Sequence, residues 1–204
     1  MTLKGTMPIR TFSRTARVLP FFLLLLLASC APLEKHVDLT YEKLAMSRGA
    51  TGEIFVVQPT MEERLTALPG GRQILGKAGD TDIVIDKSPA DWLLSAFVEE
   101  LSAAGYNVKT VAALPPGASK GVKPAILALS VHQSSELVTV TTLAEVKLEA
   151  QLWRHGQLLK TLTASAKDQE EDMDRSSEPI RQALEKALQG AMQELLPGIV
   201  ESLD

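Results

Sequence analysis

The chain has 204 residues, of which 45% are hydrophobic and 23% charged, a single cysteine, and a formal net charge of −4. One cysteine excludes an intrachain disulfide or a multi-thiolate metal site, so stability must come from an ordinary core. The acid excess excludes electrostatic attraction to nucleic acid or to anionic lipid headgroups.

The first 17 residues carry Lys4, Arg10, Arg14 and Arg17 and no acid, and an apolar run, Val18 to Ala28, follows. A bilayer-spanning helix needs ~20 apolar residues, so this run is short for a span. A basic start, a short apolar run and small residues after it describe a secretory signal. The run ends in Leu27-Ala28-Ser29-Cys30, which resembles the lipobox of bacterial lipoproteins. That resemblance implies cleavage between Ser29 and Cys30, a diacylglycerol on the Cys30 sulfur and a third acyl chain on the new amine. Each buried methylene adds ~0.8 kcal/mol, so three chains hold a protein on a membrane durably. Ala31 stands where an Asp would favour retention in the inner membrane, which points to the periplasmic leaflet of the outer membrane. Loss of residues 1–29 removes four bases and no acid, leaving a net charge of −8. The competing reading is an ordinary secretory signal with an incidental cysteine.

Residues 30–52 lack a sustained hydrophobic period and read as a lipidated tether, with room for one short strand over 37–41. Residues 53–204 match one domain in size. Strands are predicted over 53–59 and 82–86. Ser88-Pro89 and Asp91 then open a helix with a capping box, Leu93, Leu94, Phe97, Val98 and Leu101 form its apolar stripe, and Gly105 ends it. A strand returns over 106–112. From Ile126 the odd positions Leu127, Leu129 and Val131 share a face, opposite Ser130 and His132. Between 140 and 152 every even position is apolar or small, the alternation of an antiparallel strand with one buried face. His155-Gly156 reads as a tight hairpin turn, and the return strand puts Leu158, Leu162, Ala164 and Ala166 on one side. After an acidic loop, Ile180, Ala183, Leu184, Ala187, Leu188, Ala191 and Leu195 mark a helix ending near Pro197. One-sided helices and a one-sided sheet solve their burial together. The expected fold is a two-layer α/β (α+β) sandwich, a mostly antiparallel sheet with a β meander covered on one face by two amphipathic helices.

Gly71, Gly76 and Lys77 have the spacing of a phosphate loop, but Ala78 replaces the hydroxyl that would hold Mg²⁺, and a strand follows where a helix is required. The segment reads as a glycine-rich loop between strands, and no nucleotide is expected. The acidic run Asp168, Glu170, Glu171, Asp172 and Asp174 lacks the glycine and spacing of a calcium loop, and reads as a solvated loop whose charge complements a helix N-terminus, with weak cation binding as the rival. His36, His132 and His155 are scattered in sequence, and no G-x-S-x-G elbow occurs. No catalytic residue, cofactor or metal is therefore expected. Trp153 and Leu143 are apolar residues on the polar face of their strand, and stand as candidate partner-binding residues beside the reading of core-edge packing.

The order strand, strand, helix, β meander, helix, together with the turn Gly105-Tyr106-Asn107-Val108, resembles the YajG-type family of bacterial lipoproteins over about residues 50–200. It is also similar in plan to the auxiliary lipoproteins of ABC-type lipid-transport systems. The lipobox joined to a globular domain with no assembled catalytic constellation points to a non-enzymatic outer-membrane lipoprotein that binds an envelope protein, and the first resemblance brings no catalytic residues. The second implies a transport accessory that contacts a transporter or lipid. An envelope hydrolase or metal enzyme would need a cleft gathering a histidine with two carboxylates.

Overall fold

The computed structural model describes residues 34–44, 49–61, 66–67 and 72–204. The signal segment, Ser29, Cys30 and Gly71 lie outside these residues.

Among the described residues, ten strands form one sheet, organised around one of its two longest strands. The strands are β1 (Glu34–Val37), β2 (Glu53–Val57), β3 (Thr60–Met61), β4 (Thr66–Ala67), β5 (Gln73–Ala78), β6 (Thr81–Ile85), β7 (Asn107–Val111), β8 (Lys120–Ser135), β9 (Val140–Arg154) and β10 (Gln157–Asp172). β8, β9 and β10 make an antiparallel meander in sequence order. The other edge of β8 is shared by two branches. Near its start β2 pairs with it in parallel and carries β7; near its end β5 pairs in parallel and carries β6 and then β1. The fold is the predicted α+β sandwich, with an open, mostly antiparallel sheet.

Alternation explains which face is buried. On β9 the even positions Val140, Thr142, Ala144, Val146, Leu148, Ala150 and Leu152 are buried, as their period predicts. On β8 the pattern changes phase: Val122, Pro124 and Ile126 are buried, then Leu129, Val131 and Gln133. The cause is a bulge at Leu127, where Ile126 pairs with Leu148 and Ala128 with Lys147. Leu127 is therefore only half-buried, and Ile126, not Leu127, points into the core. A second irregularity at Leu159 breaks the alternation of β10, leaving Leu158 and Leu159 each 51% exposed. Leu158 thus does not join Leu162, Ala164 and Ala166 on the inner side. The turn between β9 and β10 has positive φ at both His155 (50°) and Gly156 (78°), the geometry that matches strand twist in a two-residue hairpin.

Helix α1 (Pro89–Ala104) covers the β2–β7 side, and α2 (Glu178–Leu203) covers β8–β10. Leu93, Ala96, Phe97, Glu100 and Leu101 of α1 are fully buried, while Leu94 and Val98 are half-buried, so the stripe is rotated slightly from the predicted one. Ser88 stands at the N-cap without a side-chain bond, so the predicted capping box does not form. Gly105 closes the helix with φ 118°, and the N–H of Tyr106 reaches the Leu101 carbonyl. α2 runs past Pro197 to Leu203. Its apolar face continues through Ile199 and Leu203, both fully buried, and this packing outweighs the hydrogen bond that the proline cannot make.

The expected tether differs from the structure over its described part. β1 pairs in parallel with β6, Val37 and Leu39 are buried, and residues 38–44 lie against both helices. Short β-forming segments gain their stability from tertiary partners, which is why their sequence period is faint.

Candidate functional site

The face of the sheet away from the helices is uncovered, and both candidate partner-binding residues lie on it. Leu143 pairs with His132 and Gln169 and is 42% exposed. Trp153 sits ten residues further along the same strand, ~33 Å away at strand spacing, so the two do not form one patch. Trp153 pairs with Gly121 and Leu158 and is half-buried. The Lys123 ammonium lies 4.3 Å from its ring centroid, a cation–π contact, and the indole N–H is buried with no acceptor among the described residues. A Cβ on Gly121 would meet Leu114 at 2.6 Å, so the loop before β8 lies close to this end of the face. Between the two residues the face carries Glu145, Lys147, Glu149 and Gln151, with Glu145 paired to Lys167 at 3.0 Å and Gln151 donating to Glu149 at 3.1 Å. The surface is charged and mixed in sign, with an apolar residue near each end.

The Gly76-Lys77 segment is strand β5, not a loop. Lys77 pairs with Asp82 across the β5–β6 hairpin, and the chain turns at Gly79 into β6. A strand that runs into a hairpin presents no helix N-terminus to a phosphate.

The acidic run is likewise mostly strand. Asp168 to Asp172 complete β10, and only the segment after them is a loop. Burial and the neighbouring Glu170 push the Asp168 carboxyl above its ordinary range. Glu170 pairs with Lys186 of α2, holding that ammonium above its usual value. Asp174 accepts from the Ser176 N–H and hydroxyl, which holds its carboxyl low.

His36 lies on β1 between Glu34 (3.5 Å) and Asp86 (3.1 Å). His132 is on the uncovered face and His155 in the hairpin turn, so the three histidines are separate. Among the described residues, no group of three histidines, cysteines or carboxylates is placed to share a metal.

Two polar clusters were not foreseen. Glu100, fully buried on α1, accepts from the Tyr41 hydroxyl and the Leu44 N–H, each at 2.6 Å. Its other oxygen has no partner among the described residues. Burial and the bond to Glu100 raise the Tyr41 hydroxyl well above the usual phenol range. The same segment is held by Trp92, whose indole donates to the Thr40 carbonyl at 2.6 Å, and by Arg181, which donates to the Thr40 hydroxyl at 2.7 Å. The only sequence signal was a glutamate in phase with an apolar helix stripe. The second cluster joins Tyr106 to Asp204 at 3.0 Å and Lys120 to Asp204 at 2.6 Å, with Lys120 also 4.9 Å from the Tyr106 ring. Burial raises the Tyr106 hydroxyl, and its bond to Asp204 adds to that. Both clusters tie chain segments together.

No protein-family model and no curated protein matches the chain. Its fold is similar to that of a Xanthomonas campestris protein of the family DUF330, with a TM-score of 0.57 and 11% identity over 82% of this chain and 95% of that one. Lipoprotein GNA1162 from Neisseria meningitidis aligns with a TM-score of 0.36 and 18% identity, covering 76% of this chain and all of the other. At these identities it is the fold that is shared, and only the first superposition is close enough to show it. No helix among the described residues is long and apolar enough to cross a membrane.

Proposed function

We propose that the mature protein is a lipoprotein held through Cys30 on the periplasmic leaflet of the outer membrane. Its domain is a non-enzymatic module that binds another envelope component across the uncovered face of the sheet. The observation that carries this reading is Leu27-Ala28-Ser29-Cys30 placed directly after a basic, then apolar, leader. The open face of β8–β10, with Leu143 and Trp153 at its two ends, offers the binding surface. The resemblance to YajG-type lipoproteins supports the same reading.

The second reading is an auxiliary lipoprotein of an ABC-type lipid transporter. Between sheet and helices, Ile54, Leu93, Phe97, Leu148, Ile180 and Leu184 fill the interior at zero exposure. A packed interior of this kind favours contact with the transporter over carriage of an acyl chain between the layers.

Two experiments test the proposal. Cys30→Ala should release the protein from the membrane fraction; a variant that stays membrane-bound refutes the anchor. A photo-crosslinking residue at Lys147, central on the open face, should capture an envelope protein in intact cells. Capture from Ser102 on the helix side but not from position 147 would reject the open face as the binding surface.

A further inference from the structure

The turn between β8 and β9 closes on a 2.8 Å bond from the Glu136 N–H to the Thr139 carbonyl, and presents Leu137 at 97% and Val138 at 65% exposure. Met173, 71% exposed, follows Asp172, which pairs with Val140 at the base of that turn. Three large apolar side chains therefore stand at one end of the sheet. Burial would be their ordinary state, and they are the three most exposed large apolar side chains among the described residues.

The chain enters the domain at this same end. Glu34 pairs with Asp82, Asp82 with Lys77, and Lys77 with His132 near the end of β8. Lys35 confirms the placement, donating to the Gln133 side chain at 2.5 Å and to the Arg175 carbonyl at 2.6 Å. Cys30 precedes Glu34 by four residues, a reach of ~14 Å at full extension. The opposite end, with Trp153 and the His155-Gly156 turn, lies roughly 50 Å away along β8. A lipid on Cys30 thus brings the Leu137 end to the bilayer.

We propose that this end seats on the membrane that carries the anchor, with Leu137, Val138 and Met173 inserted among the lipid headgroups. The inference rests on the lipid anchor at Cys30. Glu136, Asp172 and Asp174 surround the three side chains, so apolar insertion and not charge drives the contact. Arg175, which lines a groove with Leu137 and Val138, is placed to meet lipid phosphate. The consequence is orientation: the β8–β9 hairpin stands upright on its turn, with Leu137 and Val138 at the membrane, and holds the Trp153 end outward.

The test uses the lipidated full-length mature protein. Acylation occupies Cys30, the only cysteine, so Val138→Cys and, separately, Gln157→Cys each provide one free thiol for an environment-sensitive fluorophore. The labelled proteins are reconstituted in phosphatidylethanolamine–phosphatidylglycerol vesicles doped with headgroup-region spin-labelled lipid. The label at position 138 should shift to the blue and be quenched several-fold more than that at 157. Equal, solvent-like emission at both positions in protein whose intact mass shows the acyl chains overturns the membrane seat alone. A label at 138 that is shielded yet unquenched by lipid assigns the tip to a protein contact and also overturns it. Intact mass without acyl chains refutes the anchor, and the proposal with it.

Discussion

A methyl group at Gly76 would lie 1.8 Å from the Val131 carbonyl oxygen, a backbone atom that cannot move without disturbing β8. That glycine permits the close approach of β5 to β8, and with it the attachment of the whole β5–β6–β1 branch. Gly76→Ala should cost about 1–3 kcal/mol or more through forced strand separation, read as a lowered urea midpoint. Lys77, 56% exposed and paired to the less exposed Asp82, can leave its ammonium to water, and Lys77→Ala should cost less than Gly76→Ala, about 1 kcal/mol. A midpoint that responds to Lys77→Ala but not Gly76→Ala would refute this account of the segment. Tyr41 is the other single residue on which much depends. Tyr41→Phe removes one of two donors from a fully buried carboxyl and should cost about 1–3 kcal/mol. A variant as stable as the parent would mean that water replaces the hydroxyl at Glu100.

The N-terminus of α2 shows how an element draws on charge at its surface. Hydrogen bonds from Arg181 and Gln182 hold the Glu178 carboxyl at about 2, below its ordinary 4.5. A depressed acid contributes stability in full above its unfolded value and loses it as the pH falls from about 4.5 through about 2. Glu178 is 48% exposed, so solvent screens the pair and the contribution is small. Glu178→Gln should be less stable than the parent at neutral pH, with the gap closing toward pH 2 and in high salt. Urea midpoints at several pH values check this; a gap that does not vary with pH would exclude an electrostatic origin. Sequence showed such elements wherever period or punctuation was strong: Pro89 and Gly105 around α1, strict alternation in β9, and His155-Gly156 between β9 and β10. It failed where a long-range partner decides. β5 holds a glycine that only the nearness of β8 explains, and β1 is four residues whose pairing depends on β6. The bulge at Leu127 leaves no mark in composition, and Pro197 reads as a stop until the buried Ile199 and Leu203 beyond it are seen. On the candidate surface, Leu143 and Trp153 were legible as apolar residues out of phase with a polar face. The cover that Lys123 gives Trp153 comes from a neighbouring strand and was not.

Across the whole molecule, attachment is uneven. β9 is paired along its entire length on both sides and roofed by α2. The branches hold β8 through far shorter ladders: β2 and β3 through Phe55, Val56, Thr60 and Met61, and β5 through Gly76, Lys77 and Ala78. Stability in such a fold is expected to be graded, because a segment with few cross-strand bonds opens without the rest. The meander with α2 should form the unit that unfolds last, while β1, β5 and β6 open together at lower free energy. The strap at residues 38–44 links that branch to both helices through Trp92, Glu100 and Arg181, so it should join the same opening. Native-state hydrogen exchange at rising denaturant separates these cases. Amides of Val146 to Leu152 should exchange only through global unfolding, and those of Lys35 to Val37 and Ile83 to Ile85 through a smaller, shared opening. Tyr41→Phe should lower the free energy of the smaller opening and of global unfolding by similar amounts if the strap leaves with the smaller opening, and lower only that of global unfolding if the strap stays docked until the last step. One common free energy for all these amides in the parent protein would show instead that the two branches and the meander unfold as a single cooperative block.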